Sequence, residues 1–140
     1  MPTIFTRIIE GELPGRFVWK DDSCVGFLSI APLRPGHTLV VPRAEIDHWL
    51  DLDAALLAHL FGTAQAIGKA QMAGLKPERI GVLVAGLEVP HCHIHVVPIR
   101  GAHDLDFGNQ ERNPDAAMMN EAADTIRREL RRLGYAQASD

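Results

Sequence analysis

The segment His91–Pro98, HCHIHVVP, dictates an extended strand before anything else in the chain is read. Polar and apolar residues alternate through it, with Cys92, Ile94 and Val96 following the three histidines in turn. Successive side chains of a strand point to opposite faces, so His91, His93 and His95 share one face and the apolar residues share the other. Neighbouring rings on that face start roughly 7 Å apart along the backbone. A strand with one apolar face needs a sheet around it and a layer to cover it. A histidine that merely fills space would not recur in this register, so the polar face reads as a site.

The rest of the chain supplies the sheet and the cover. Phe17–Lys20 and Cys24–Leu28 read as two strands about an Asp21-Asp22-Ser23 turn, a hairpin. Thr38–Val41 follows the loop APLRPG as a third strand, and Ile80–Val84 is a fourth. Leu52, Leu56, Leu60, Ala64, Ile67 and Gln71 recur at three- and four-residue spacing, predicting a long helix that Asp51 or Asp53 caps and Gly74 ends. IFTRII, residues 4–9, suggests a short helical turn, while Arg100 to Arg112 reads as irregular. A last helix starts with Asn113 as cap and Pro114 at its first position. Its stripe of Met119, Ala122, Ile126, Leu130 and Leu133 reads as packing onto the domain or onto a second subunit. The expected fold class is α+β: an antiparallel meander of about five strands with one long helix across it, plus a C-terminal helix. Residues 1–108 form the expected domain and 109–140 a helical extension packed on it.

Composition narrows the function classes. The 140 residues are 46% apolar and 23% charged, as in ordinary soluble domains. A net charge of −4 argues against a nucleic-acid-binding surface. Arg127, Arg128, Arg131 and Arg132 read as the solvated C-terminal end of a helix. No signal peptide or bilayer-length apolar run is seen, so the expected location is cytoplasmic, with no membrane partner. Cys24 and Cys92 fit reduced thiols there.

Three imidazoles on one face suit either a metal ion or nucleophilic catalysis. The outer two would stand about 13 Å apart at the backbone, too far to aim easily at one ion. Geometry therefore leans toward catalysis, and no metal or cofactor is expected.

These residues also resemble a family. HCHIHVV fits the His-φ-His-φ-His-φ-φ signature of the histidine triad (HIT) nucleotide hydrolases and transferases, φ being hydrophobic. IFTRIIEGELPGR, the run from Asp21 to Leu28, and PLRPGHTLVVP resemble the first half of Hint-type members in the same order. AGLEVPH and the last helix look more like an actinobacterial branch. The resemblance implies that His93 is a nucleophile attacking the α-phosphorus of a nucleotide. His91 and His95 would flank it, contacting phosphate oxygens and relaying protons, and His37 of the Pro-Gly-His turn would be the fourth histidine. Ile8, Phe27 and Ile30 match positions that sandwich the base, although plain core is the simpler reading of their chemistry. A purine nucleotide substrate and a homodimer formed through the long helix and a strand edge are further implications. His48, His59 and His103 have no motif context and read as ordinary residues.

Three departures stand out. Ser29 occupies the place of an acidic residue that binds the ribose, which removes a bidentate carboxylate clamp. Leu87 and Glu88 replace polar groups that meet the phosphates, and Glu88 would disfavour an anionic polyphosphate leaving group relative to an amine. Thr3, Thr6 and Glu45 stand where other members carry a Cys-x-x-Cys pair and a histidine that help to hold structural zinc, so none is expected here. The alternative to an enzyme is a nucleotide-binding regulatory or interaction protein with little turnover, motivated by Ser29, Leu87 and Glu88. A metal-binding protein using the three histidines is a third possibility that metal analysis would test.

Overall fold

The computed structural model describes all 140 residues. The chain runs α1 (Ile4–Ile9), β1 (Phe17–Lys20), β2 (Cys24–Leu28), β3 (Thr38–Pro42), α2 (Ala54–Leu75), β4 (Arg79–Leu83), β5 (Ile94–Ile99) and α3 (Ala116–Arg132). Short 3-10 turns occupy Trp49–Asp51, Ala102–Leu105 and Phe107–Asn109.

The five strands form one antiparallel sheet in the order β1-β2-β3-β5-β4. It is a meander through β3. The α2 crossover then sets β4 at the outer edge, and β5 returns between β3 and β4. The alternation read from the sequence separates two apolar layers. Val18, Cys24, Leu28, Val40, Ile94 and Val96 face α2 and α3 within a cluster of 17 buried residues. Phe17, Val25, Phe27, Leu39 and Val41 face the other way and are covered by Phe5 and Ile8 of α1. No helix is long and apolar enough to cross a membrane.

Two helix boundaries differ from the sequence reading. The α2 helix is capped by Asp53, whose side chain accepts from the Leu56 N–H at 2.8 Å, but it continues past Gly74 to Leu75 and ends on Lys76 in the left-handed conformation. Gly74 serves packing instead: a Cβ built there would lie 2.5 Å from Thr125 Cγ2 of α3. The α3 cap is Asp115, which accepts from the Met118 N–H, so Asn113 and Pro114 precede the helix. The α3 helix contributes Met119, Ala122, Ala123, Ile126 and Leu130 to the main cluster and so forms a wall of the core. Beyond it the tail lies along β1, with Lys20 N–H donating to Gln137 O and Ser139 N–H to Val18 O.

Candidate active site

The histidines converge, although not along one strand. Only His95 lies within β5; His91 and His93 sit in the segment leading into it. The cause is a competing backbone partner: Cys92 N–H donates to Ile46 O at 2.7 Å, which draws this stretch to the loop after β3 before the ladder begins. His95 itself falls in a cross-strand row, Phe17–Phe27–Leu39–His95–Leu83, on the face covered by α1. His37 reaches the same place from the turn before β3. Gly36 adopts φ +91° there, and a Cβ would collide with Leu75, so the turn needs glycine.

All four imidazoles are buried, and their hydrogen bonds fix their tautomers. His93 Nδ1 lies 2.8 Å from the His91 carbonyl oxygen. A carbonyl only accepts, so Nδ1 carries the proton and Nε2 holds the lone pair. On His37, Nδ1 accepts from the Leu33 N–H at 3.0 Å, so Nε2 carries its proton and donates to His95 Nδ1 at 2.9 Å. That leaves His95 with a proton on Nε2. Gln71 Oε1 is the one fully enclosed polar side-chain atom lacking a partner, so the free Nε2 atoms of His93 and His95 must reach solvent. The site therefore offers one nucleophilic nitrogen beside one N–H donor, with ring centroids 4.8 Å apart.

Electrostatics favour neutral rings. Burial lowers the pKa of His93, with the His91 carbonyl pulling partly the other way. Burial, reinforced by His93, pushes His95 down to about 4. Burial, then His95 and His93, pushes His37 down to about 3. The lowered pKa leaves the His93 Nε2 lone pair more available at neutral pH than that of a free imidazole.

His91 departs from the expected phosphate contact. Its Nε2–H donates to Pro42 O at 2.7 Å, and its Nδ1 lies 2.6 Å from Thr3 Oγ1. Both nitrogens are engaged inside the protein, and the residue meets His93 through its backbone carbonyl. The Thr3 N–H also donates to Glu45 Oε1 at 2.7 Å, and the Thr3 and Thr6 hydroxyls are 3.3 Å apart. The positions where zinc-holding members carry thiols and a histidine thus meet as a hydrogen-bonded network. Two hydroxyls, one carboxylate and a doubly engaged imidazole do not fit the thiolate and imidazole ligands of structural zinc.

The other residues divide. Ile8, on the inner face of α1, and Phe27 of β2 are buried together beside Phe5, whose ring meets the His93 ring edge-on at 4.9 Å. Ile30 stands apart, 71% exposed. Ser29 is buried, with its hydroxyl accepting from the Ala31 N–H. Glu88 is exposed on the loop after β4, yet close enough to raise the affinity of His93 for a proton. Two neighbours had no motif to announce them. Phe107 packs edge-on against His95 at 5.0 Å, held there because Gln110 Nε2 donates to Ala31 O and Glu111 N–H to Pro32 O. Trp49 shares a small cleft with His48, Asp47, Cys92 and His93.

This arrangement is that of a histidine triad protein, and comparison agrees. The HIT domain family matches residues 10–102, and the chain belongs to that family. An uncharacterized HIT-like protein of Mycobacterium tuberculosis is 30% identical across the full length of both chains. An uncharacterized HIT-like protein of Saccharolobus solfataricus is 37% identical over 68% of this chain and 72% of its own. The crystal structure of a Zn-bound histidine triad family protein from Mycobacterium smegmatis superposes with a TM-score of 0.82 at 29% identity, covering 95% of this chain and 96% of that one.

Proposed function

We propose that the protein is a nucleotide hydrolase or nucleotidyl transferase acting at the α-phosphate of a nucleoside 5′-phosphoramidate or a related nucleotide, with a purine nucleotide as the expected substrate. The observation that carries this reading is the bond from His93 Nδ1–H to the His91 carbonyl, which aims an unprotonated Nε2 out of the protein. In the first step Nε2 bonds to phosphorus while the bond from phosphorus to the amine breaks, and the amine leaves with a proton taken from solvent. In the second, water cleaves the nucleotidyl-histidine and restores the ring. The His95 Nε2–H, backed by His37, donates to the phosphoryl oxygens as charge builds on them. The His91 ring, braced by Thr3 and Pro42, positions the carbonyl that orients His93.

Ile8 and Phe27 supply an apolar floor beside this centre for the base, and Ile30 an exposed rim. Ser29 offers a single hydroxyl toward the sugar. Glu88 near His93 disfavours a polyanionic leaving group, which selects phosphoramidates over dinucleoside polyphosphates. The reverse preference in turnover would remove that role for Glu88.

Intact-mass spectrometry of protein quenched from adenosine 5′-phosphoramidate tests the reading. A nucleotidyl adduct or turnover is expected in the wild type, and His93→Ala is expected to lose the adduct and roughly a thousandfold or more in kcat. Nucleotide binding with neither adduct nor product would favour the regulatory reading that Ser29, Leu87 and Glu88 motivate.

A further inference from the structure

A second group of ligating side chains lies on the other side of the sheet from His93 and His95. Asp21 stands in the β1–β2 turn, Cys24 opens β2 and faces the main core, and His59 comes from the first half of α2. One ligand atom from each of Asp21, Cys24 and His59 lies within 4.8 Å of the other two. Asp21 Oδ2 is 2.8 Å from His59 Nε2 and 3.6 Å from Cys24 Sγ. A tetrahedral zinc ion with ligands at roughly 2.0–2.3 Å holds them roughly 3.3–3.8 Å apart, which matches the Oδ2–Sγ distance and asks the hydrogen-bonded Oδ2–Nε2 pair to open by about 0.5 Å. We propose that Asp21, Cys24 and His59 form a binding site for a divalent transition-metal ion, zinc by ligand type, with its fourth position open to solvent.

The surroundings prepare these ligands. Asp21 Oδ1 accepts from the N–H groups of Ser23 and Cys24, both at 2.8 Å, while Oδ2 accepts from Trp19 Nε1–H at 2.8 Å. The carboxylate is thereby fixed in orientation, as metal-bound carboxylates are. Thr63 Oγ1 lies 3.6 Å from Sγ, placed to donate to a thiolate in exchange for its bond to the His59 carbonyl. The His59 ring is exposed, with its Nε2 already turned onto Asp21 Oδ2.

Metal bonding at Sγ displaces the thiol proton to solvent, and the thiolate and the Asp21 carboxylate then face the two positive charges of the ion. Arg43, whose Nε donates to the Asp21 carbonyl, is the neighbouring cation and contributes only one positive charge. The ion would tie the hairpin turn to α2 and stabilise the folded chain.

Cobalt(II) titration of the metal-free full-length protein tests the site. A thiolate-to-cobalt charge-transfer band saturating at one equivalent is expected in the wild type. Cys24→Ser is expected to abolish it, and His59→Gln to weaken binding by about tenfold or more. The double variant His93→Ala, His95→Ala is expected to retain it, which separates this site from the triad. Zinc is expected to raise Tm in the wild type but much less in His59→Gln, a surface change that leaves the core intact even if the buried Cys24→Ser folds poorly. No charge-transfer band in the wild type, or one that persists undiminished in His59→Gln, overturns the assignment.

Discussion

His37, His91, His93 and His95 differ in which nitrogen is engaged, and that difference sets their roles. Two bonds to the protein silence the His91 ring, one bond orients His93, and the His37 bond leaves His95 a single outward donor. Depressed pKa values at His93 and His95 give a pH dependence whose sign is fixed. A nucleophile must be unprotonated, so kcat/KM is expected to stay level through the ordinary histidine range near 6.5 and to fall at the lowered pKa of His93, with a further loss as His95 protonates at about 4. Stability moves in the same direction. Between 6.5 and these lowered values the unfolded chain binds protons that the folded rings refuse, so acidification costs stability over that window. Phe107→Ala removes the ring that covers His95 and should raise the His95 pKa and move the acid limb upward. Proton NMR titration of the histidine ring signals, beside the pH–rate profile, checks both, and an unmoved His95 signal would deny Phe107 this role.

Among the elements, contact between α2 and α3 depends on a residue whose meaning is tertiary. Gly74→Ala puts a methyl group 2.5 Å from Thr125 Cγ2 in a helix position where alanine is otherwise preferred. Packing outweighs propensity here, so the variant should lose about 1–3 kcal/mol in denaturant melts, and a stabilised variant would contradict the close approach. This residue also shows where sequence reading stops. The β1–β2 hairpin, a cap at Asp51 or Asp53 and the alternation in β5 are local patterns and were legible. Gly74 reads locally as a helix terminator because nothing in its own neighbourhood reveals Thr125. The same limit applies to the triad: alternation placed His91 and His93 in a strand, whereas a bond from Cys92 to distant Ile46 holds them outside it. At the site, alternation pointed to the three later histidines, and His37 entered only through the resemblance. Phe107, Trp49 and the bracing of His91 by Thr3 arise only from the fold, which brings together segments without any local signature.

At the scale of the whole molecule, the two edges of the sheet are unequal. The β1 edge is covered, because the tail bonds to Lys20 and Val18 and the Arg127 side chain donates to the Phe17 carbonyl at 2.7 Å. The β4 edge is bare, with Val82 45% exposed. Beside it, α2 turns Phe61 and Met72 outward around a shallow groove that also takes in Ala64, Ile80 and Val82. A bare edge next to an apolar groove is an open invitation to pairing, and folded proteins rarely leave one unprotected. A second copy of the chain, related by a twofold axis, would cover edge and groove together, as the family resemblance implies. Sedimentation equilibrium is therefore expected to return twice the 15.4 kDa chain mass. Val82→Lys with Phe61→Glu should yield the single-chain mass while the circular dichroism of the fold is kept, because neither residue belongs to the buried clusters. A wild-type protein sedimenting as one chain would leave the β4 edge without this partner, and a double variant that stays dimeric would place the interface elsewhere.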